Sequence, residues 1–291
     1  MDCITRMAYA KINLGLDVLR RREDGYHEVK MIMQTVDIRD VLTFKKSEKK
    51  GITLTVSREE LPASKDNLVY RAAKLVMEQY DIKEGVEIFL EKKIPIAAGM
   101  AGGSTDAAAV FHGLNELFSL GMTTEEMQKL GVKIGADVPY CIIGGTALSE
   151  GIGEILSPLP APPQCILLVA KPEIDVSTKF VYENLHANEL QVHPDIDGMI
   201  EAIRKKDLSG ITERMGNVLE TVTVKAYPVI EELKELMKSC GAKNALMSGS
   251  GPTVFGIFTE RSEAEKAKEQ IRERKLAKEV FVTGFWNHEQ E

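Results

Sequence analysis

The sequence lacks the cysteine patterns of disulfide-rich and zinc-binding proteins. Its 291 residues include only four cysteines, and no two of them form a C-x-x-C pair. The four are scattered along the chain: Cys3, Cys141, Cys165 and Cys240. This distribution is typical of reduced, mostly buried thiols in a cytoplasmic protein, so a disulfide framework is not expected.

Long apolar runs and basic blocks are also missing. No stretch approaches the roughly 18 apolar residues that a membrane-spanning helix needs. Residues 1–6 carry charges without the apolar segment of a secretory signal. The formal net charge is −7, and no lysine or arginine block exceeds a few residues. We therefore expect a cytoplasmic protein with neither a membrane nor a nucleic acid as partner.

Two common phosphate-binding motifs are absent. A Walker loop needs G-x-x-x-x-G-K-[ST], and no lysine stands between Gly103 and Ser104. The dinucleotide fingerprint G-x-G-x-x-G occurs nowhere in the chain. Any nucleotide site must therefore use a different loop.

The composition allows one large domain or two smaller ones, with 44% hydrophobic and 28% charged residues. The segment 158–163 contains four prolines: Pro158, Pro160, Pro162 and Pro163. Such a segment is typical of a linker, so we predict domains at residues 1–160 and 161–291.

One glycine-rich stretch lies between a predicted strand at 86–94 and a predicted helix at 106–118. Glycine lets the backbone adopt positive φ and come close to a ligand. The first turn of the helix adds unpaired N–H groups and a positive partial charge. The stretch therefore predicts a phosphate-binding loop, although a plain strand-to-helix turn would have a similar composition. Its residues are Pro95, Ile96, Ala97, Ala98, Gly99, Met100, Ala101, Gly102, Gly103, Ser104 and Thr105.

Two further stretches carry unusual small or polar residues. Residues 8–19 alternate as a strand with one apolar face, and the opposite face carries Lys11 and Asn13, directed to solvent or to a site. Residues 245–255 predict a strand, a Gly/Ser turn and another strand. A turn made of such small residues indicates that a backbone or a ligand approaches closely.

Periodicity predicts several other elements. Residues 40–44 and 52–56 predict a strand pair around a lysine-rich loop. A capping box of Thr123 and Glu126 starts a helix that is expected to end at Gly135. A single helix is expected over 208–225, and a strand pair over 144–154.

The three stretches, in this order, resemble the three signatures of the galactokinase, homoserine kinase, mevalonate kinase and phosphomevalonate kinase superfamily. The resemblance covers essentially the whole chain. It implies an α+β fold with two domains: an N-terminal α/β domain with a ribosomal-protein-like βαβ unit, and a C-terminal ferredoxin-like domain with helical insertions. It also implies a small-molecule kinase in which residues 95–105 wrap the phosphates of ATP and the Gly/Ser turn folds against that loop.

Three shorter motifs narrow the resemblance: residues 24–27, 135–139 and 151–154. They are similar to those of superfamily members that transfer the γ-phosphoryl of ATP to the tertiary (2-)hydroxyl of a cytidine diphosphate methylerythritol. That reaction belongs to the non-mevalonate route to isoprenoids. The alternatives are a homoserine- or mevalonate-type kinase, and a non-catalytic regulatory protein that binds nucleotide on the same fold.

The resemblance assigns the catalytic and substrate residues. It implies that Asp137 is the catalytic base or orients the hydroxyl, and that Lys11 keeps this carboxylate ionised. Asn13 would position the erythritol unit, and Tyr26 and His27 would bind the cytosine. From the residues alone, Asp137 is also explained as a turn or cap residue, and Tyr26 as a core residue.

The resemblance also assigns residues to ATP outside the loop. Asn67 and Lys92 would lie near the adenine, with Lys93 as the alternative to Lys92, and Thr178 would approach the γ-phosphate. Mg²⁺ is expected with ATP, and it usually keeps water and phosphate oxygens as ligands. Its protein ligands are left open, with Ser104 as a candidate, and so is the oligomeric state.

Overall fold

The computed structural model describes residues 2–287, which divide into two compact units. Unit 1 holds residues 2–10, 38–94 and 101–144, and unit 2 holds 11–37, 95–100 and 145–287. The units are interleaved in sequence, so they are a different kind of division from the domain boundary predicted after residue 160. That boundary stays a prediction.

The strands are β1 (Cys3–Arg21), β2 (His27–Ser47), β3 (Ile52–Val56), β4 (Gly85–Glu91), β5 (Thr146–Gly151), β6 (Ile155–Leu159), β7 (Ile166–Lys171), β8 (Gly216–Asn217), β9 (Asn244–Met247), β10 (Val254–Phe258) and β11 (Glu279–Gly284). The helices are α1 (Leu68–Gln79), α2 (Gly102–Leu117), α3 (Thr124–Gly131), α4 (Val138–Ile143), α5 (Thr178–Glu183), α6 (Ile196–Arg204), α7 (Leu208–Glu213), α8 (Glu220–Ala226), α9 (Val229–Ser239) and α10 (Arg261–Glu273). Among the described residues, no helix is both long and apolar enough to cross a bilayer.

Unit 1 contains a βαβ unit where the sequence pattern predicts a strand pair. The strands β3 and the end of β2 exist, but β4 lies between them. β4 pairs antiparallel with residues 41–47 of β2 and parallel with β3. The predicted pairing of residues 40–44 with 52–56 is therefore wrong. Parallel neighbours need a crossover connection, and α1 supplies it between β3 and β4.

The helices of unit 1 pack into one apolar core with this sheet. α1 begins as predicted, because Asn67 Oδ1 accepts a hydrogen bond from the Val69 N–H. The capping box of Thr123 and Glu126 is also confirmed. However, α3 ends at Gly131 rather than at Gly135, and the chain then forms the short helix α4.

In unit 2, β5 pairs antiparallel with residues 29–34 of β2 and with β6. The predicted strand pair is thus present, but shifted: residues 151–154 mostly form its turn, and its second strand is β6. The two-residue strand β8 pairs parallel with Gly15 and Leu16 of β1. This pairing splits the helix predicted over 208–225 into α7, β8 and α8, so that prediction is wrong.

The second sheet of unit 2 has the order β11-β7-β10-β9, with antiparallel neighbours throughout. Numbered along the chain, this is the order 4-1-3-2 of a ferredoxin-like layer, with α10 between the last two strands. The long connection between β7 and β9 contains α9 and, before it in the chain, the additional helices α5 to α8. The predicted ferredoxin-like layer with helical insertions is therefore confirmed.

Candidate active site

The first half of the glycine-rich loop, residues 95–100, belongs to unit 2 and packs against the Gly/Ser turn, residues 248–251. Gly99 has φ = +69°, and a Cβ there would lie 2.3 Å from the Ser248 carbonyl oxygen. The Ser248 hydroxyl donates to the Gly99 carbonyl oxygen at 3.0 Å. The close approach predicted from the small residues of the turn is thus an approach of backbone to backbone.

The second half of the loop, residues 101–105, belongs to unit 1 and forms the start of α2. The N-cap residue Ala101 has φ = +55°, and its methyl group cannot accept a hydrogen bond. A Cβ at Gly102 would lie 3.0 Å from Lys92 Nζ, and one at Gly103 would lie 3.2 Å from Leu68 Cδ1. The helix therefore begins without a side-chain cap from Ala101, and its first N–H groups keep the positive end of the helix dipole.

A buried charge cluster lies behind this helix start. Lys92 Nζ lies 2.6 Å from Asp40 Oδ2 and 2.6 Å from Asp106 Oδ2, and all three side chains are buried. Asp40 Oδ1 also accepts the backbone N–H groups of Lys93 at 2.5 Å and Ile94 at 2.8 Å. The cluster thus joins β2, the end of β4 and the first turns of α2.

Burial and the mutual attraction of these charges shift two pKa values. Burial opposes the charge of Lys92, but Asp106 and then Asp40 outweigh it, so the pKa of Lys92 is raised. Burial holds the pKa of Asp106 well above its ordinary value. The nearby Lys92 ammonium lowers this pKa, and repulsion from Asp40 raises it further. Asp106 Oδ1 has no hydrogen-bond partner among the described residues. The sequence analysis missed this cluster, since the three residues lie far apart in the chain.

The residues assigned to the adenine lie in unit 1, where Asn67 and Lys92 have structural contacts. Asn67 caps α1, and its amide donates to the Pro62 carbonyl at 2.8 Å. The Lys92 ammonium is held by its two carboxylates, whereas Lys93 is exposed and lies 2.9 Å from Glu91 Oε1. A charged contact with adenine would therefore fall to Lys93 more readily than to Lys92. Both roles stay predictions.

Lys11 and Asn13 are buried in unit 2, so the solvent alternative for this face of β1 is wrong. Lys11 Nζ donates to Asn13 Oδ1 at 2.8 Å, and the Lys11 N–H donates to the Met100 carbonyl at 3.1 Å. Helix α6 covers the same face, because a Cβ at Gly15 would lie 2.7 Å from Ile196 Cδ1. The polar face of β1 is therefore enclosed by protein beside the glycine-rich loop.

Asp137 lies in unit 1 and is half-buried just before α4. It lies in a turn and occupies the N-cap position, as the turn-or-cap interpretation predicts, but its side chain does not bond to the helix N–H groups. A Cβ at Gly135 would lie 3.9 Å from Ser104 Oγ, which brings the 135–137 segment next to the start of α2. Lys11 belongs to the other unit, so its pairing with Asp137 stays a prediction.

Tyr26 and His27 follow a tight turn in unit 2. The Tyr26 N–H donates to Asp24 Oδ1 at 3.1 Å, and the Tyr26 side chain is 61% exposed, so the core interpretation of Tyr26 is wrong. The His27 ring lies 5.1 Å from the ring of Tyr182 at an interplanar angle of 43°. Burial, and then the charge of Arg21, lower the pKa of His27. His27 is therefore neutral at pH 7 and offers one donor and one acceptor.

Tyr182 is a residue that the sequence analysis did not assign to the site. It lies on α5 and is half-buried. At the start of the same helix, the Thr178 hydroxyl lies 2.8 Å from the Ser250 hydroxyl. Helix α5 thus contacts both the Tyr-His pair and the Gly/Ser turn. Its aromatic residues, Phe180 and Tyr182, were the only available signal.

Comparisons with known proteins match both the N-terminal and the C-terminal parts of the chain. The protein family described as "GHMP kinases N terminal domain" matches residues 67–145, and the family described as "GHMP kinases C terminal" matches residues 199–276. A 4-diphosphocytidyl-2-C-methyl-D-erythritol kinase of Lachnoclostridium phytofermentans is 53% identical over 98% of both chains. A crystal structure of 4-(cytidine 5'-diphospho)-2C-methyl-D-erythritol kinase is 32% identical and superposes with a TM-score of 0.84, covering 98% of this chain and 100% of the other.

The chain belongs to the 4-diphosphocytidyl-2-C-methyl-D-erythritol kinase family of the GHMP kinases. A homoserine kinase from Cytophaga hutchinsonii also superposes, with a TM-score of 0.79 over 97% of this chain and 95% of the other. Its identity is 22%, so this likeness shows the shared GHMP kinase fold alone.

Members of the GHMP kinase family use ATP as co-substrate, and Mg²⁺ accompanies ATP in phosphoryl transfer. Within residues 2–287, no group of three or more His, Cys, Asp or Glu side chains could hold a metal ion. Such a site is not required, because Mg²⁺ binds through phosphate oxygens, water and one or two protein oxygens. The Ser104 hydroxyl, at the start of α2, stays a candidate protein ligand.

Proposed function

We propose that the chain is an ATP-dependent kinase for 4-diphosphocytidyl-2-C-methyl-D-erythritol. It transfers the γ-phosphoryl of ATP to the tertiary (2-)hydroxyl, and the products are ADP and the 2-phosphate. The reaction belongs to the non-mevalonate route to isoprenoid precursors. The observation that carries the proposal is the 53% identity, over nearly the whole chain, to a relative of that name. A cytoplasmic location stays a prediction within this proposal.

The glycine-rich loop binds the triphosphate of ATP. Its phosphate ligands are backbone N–H groups of residues 96–105, which include the first turn of α2, whose dipole favours negative charge. A net charge of −7 does not prevent this, because the attraction is local. Thr178 contributes near the γ-phosphate, and Asn67 with Lys92 or Lys93 contributes near the adenine. Ser104 is the residue that would hold Mg²⁺ beside the phosphates, and the ion when bound would supply positive charge against the phosphoryl oxygens.

Asp137 and Lys11 act on the acceptor hydroxyl. The hydroxyl loses its proton as the phosphoryl group arrives, and the Asp137 carboxylate accepts or aligns that proton. The Lys11 ammonium keeps the carboxylate ionised and stabilises negative charge. Asn13, hydrogen-bonded to Lys11, orients the erythritol unit. The transition state of phosphoryl transfer is loose, so positioning and charge stabilisation supply most of the rate enhancement.

Tyr26, His27 and Tyr182 recognise the cytosine. An exposed tyrosine ring offers a stacking surface, and neutral His27 offers both a donor and an acceptor to the base edge. An aromatic group of this kind has no evident use in a kinase for homoserine or mevalonate. It therefore favours a substrate that carries a nucleobase.

The test is an ADP-release assay of the wild-type protein with a panel of alcohols. The panel contains 4-diphosphocytidyl-2-C-methyl-D-erythritol, homoserine and mevalonate, each with ATP and Mg²⁺. We expect turnover with the cytidine substrate only. Turnover with homoserine or mevalonate instead would support the alternative small-molecule kinases. ATP binding without turnover on any of them would support a non-catalytic regulatory protein.

A further inference from the structure

Three polar side chains outside the signature stretches reach the Gly/Ser turn. Asn217, Glu220 and Thr223 are spaced three residues apart, where β8 leads into α8. They lie in unit 2 together with the turn and with Gly99. All three contact the backbone of residues 247–250, and the proposed reaction gives none of them a role.

Asn217 joins the end of β9 to the middle of the turn. Its Nδ2 donates to the Met247 carbonyl and to the Gly249 carbonyl, both at 2.8 Å. Its Oδ1 accepts the Leu219 N–H at 3.0 Å, so the side chain is fixed on both sides. Asn217 is buried, and β8 attaches its backbone to β1. A buried amide with all of its near partners satisfied fixes the backbone that it contacts.

Glu220 and Thr223 lie on α8 and contact the same segment. Glu220 Oε1 accepts the Met247 N–H at 2.8 Å, and its Oε2 lies 2.7 Å from Lys234 Nζ. The fully buried Thr223 hydroxyl lies 3.3 Å from the Ser250 carbonyl oxygen and 3.2 Å from that of Leu219. The three side chains therefore restrain the backbone just before the turn, at Met247, and within it, at Gly249 and Ser250.

The restrained turn in turn contacts the glycine-rich loop. Ser248 donates to the Gly99 carbonyl, and the Ser248 carbonyl oxygen lies 2.3 Å from the position that a Cβ on Gly99 would take. A shift of the turn by a fraction of an ångström would therefore move Gly99 or break this hydrogen bond. Gly99 has no side chain of its own that could fix its conformation.

We propose that Asn217, supported by Glu220 and Thr223, is a positioning residue for ATP binding. It sets the conformation of the loop at Gly99 through the Gly/Ser turn, so that the loop N–H groups are arranged before the triphosphate arrives. This inference rests on the proposed function, since it requires that residues 95–105 bind ATP. Preorganised donors gain affinity because less ordering remains to be done on binding.

Asn217→Asp is the main test variant. It preserves the shape and the acceptor for Leu219, but replaces the donor to two carbonyls with an oxygen. We expect the Kd for a non-hydrolysable ATP analogue, measured by calorimetry, to rise about tenfold or more, and KM for ATP with it. KM for the cytidine substrate should stay within about twofold. Thr223→Val, which removes one hydroxyl at constant shape, should raise the same Kd by about two- to fivefold.

Asn244→Asp is the matched control. Asn244 Nδ2 donates to the Thr212 carbonyl at 2.7 Å and its Oδ1 accepts the Ala245 N–H at 2.8 Å, at the far end of β9 from the turn. We expect a lower Tm with the nucleotide Kd within about twofold of wild type. If Asn217→Asp does not fold, Thr223→Val decides the question.

Two results would overturn the inference. One is a wild-type Kd in the Asn217 and Thr223 variants, and the other is an equal loss of nucleotide binding in the Asn244 control. The wild-type protein is assayed first with the cytidine substrate. Absence of its turnover counts against the proposed function, whereas wild-type turnover with unchanged variants counts against the positioning role alone.

Discussion

Lys11 and Asn13 lie on a strand with both faces buried, which determines how strongly their polar groups act. An ammonium group removed from water interacts several times more strongly with a nearby charge than an exposed one does. Lys11 is also held in place by Asn13 and by its own N–H bond to the loop. A fixed, buried cation is suited to stabilising charge on a substrate, and an exposed flexible lysine is not.

Asp137→Asn tests the residue that accepts or aligns the proton. The amide keeps the shape of the side chain but cannot accept a proton at neutral pH. We expect kcat to fall by roughly 10²- to 10⁴-fold with little change in the Kd for ATP. Glu125→Gln, at an exposed carboxylate of α3, is the control and should behave as wild type. Near-normal turnover in Asp137→Asn would remove Asp137 from this role.

His27 predicts a pH dependence for the cytidine substrate. Burial and Arg21 lower the pKa of His27 below its ordinary value of 6.5, so the ring loses its acceptor only when the pH falls through that lowered value. KM for the cytidine substrate should therefore rise in acidic buffer, while KM for ATP should not. In His27→Gln this rise should disappear. A rise that persists in the variant would mean that another group causes it.

At the scale of the elements, local sequence patterns predicted the type of an element more accurately than the element that it pairs with. The cap of α1 and the capping box of α3 depend on neighbouring residues, and both are confirmed. The pairing of β3 depends on β4, which lies beyond α1 in the chain, and a local pattern holds no information on it. Likewise, residues 208–225 have a helical pattern, but the pairing of Gly216 and Asn217 with β1 interrupts the helix.

For the candidate site, too, the sequence indicated residues in short signatures but not contacts between distant elements. Glycines and polar residues in short signatures indicated the loop, Lys11 and Asp137. The cluster of Lys92, Asp40 and Asp106 has no signature, because it forms only when β2, β4 and α2 meet. The contact between His27 and Tyr182 also depends on the packing of a distant helix. Neither could be obtained from spacing along the chain.

Gly99→Ala tests the contact between the loop and the Gly/Ser turn. Gly121→Ala is a matched control, because the two glycines have φ of +69° and +68° but a Cβ at Gly121 would meet nothing within 4 Å. Both variants carry the conformational penalty of about 1 kcal/mol. Gly99→Ala should lower the free energy of unfolding further, by urea denaturation, and raise KM for ATP. Equal effects at the two positions would contradict the role of the contact.

The buried cluster behind α2 predicts a large loss on removing its cation. In Lys92→Met, Asp40 and Asp106 would remain buried without a positive partner. We expect the free energy of unfolding at pH 8 to fall by about 3–5 kcal/mol. Lys129→Met, at an exposed ion pair with Glu125, is the control and should change little. A small effect in Lys92→Met would mean that the carboxylates do not depend on the cation.

The Asp106→Asn variant should differ from wild type in stability by an amount that depends on pH. The pKa of Asp106 is raised in the folded protein, so the native state favours its protonated form. Its contribution to stability is present below the ordinary pKa of 3.8 and is lost as the pH rises through the raised value. The free energy of unfolding of Asp106→Asn, relative to wild type, should therefore increase from acidic to neutral pH. A constant difference across a urea-denaturation series would contradict this.

At the scale of the whole molecule, the residues that the proposed reaction uses come from the start, middle and end of the chain. Units 1 and 2 are interleaved, so the glycine-rich loop itself passes from one to the other. Unit 2 brings together Lys11, Asn13, Gly99 and the Gly/Ser turn, and unit 1 brings together Ser104 and the Asp137 segment. The proposed reaction requires both groups, which is why the proposal is tested on the intact chain.

The most direct measurement is phosphorus NMR of the product that the wild-type protein forms from ATP and 4-diphosphocytidyl-2-C-methyl-D-erythritol. Transfer to the tertiary hydroxyl places the new phosphate on a carbon without hydrogen. We predict one new monoester signal that appears with ADP and shows no splitting by a proton on the ester carbon. A new signal that is split in this way would identify a primary or secondary hydroxyl as the acceptor, and release of inorganic phosphate alone would show no transfer; either result would contradict the account.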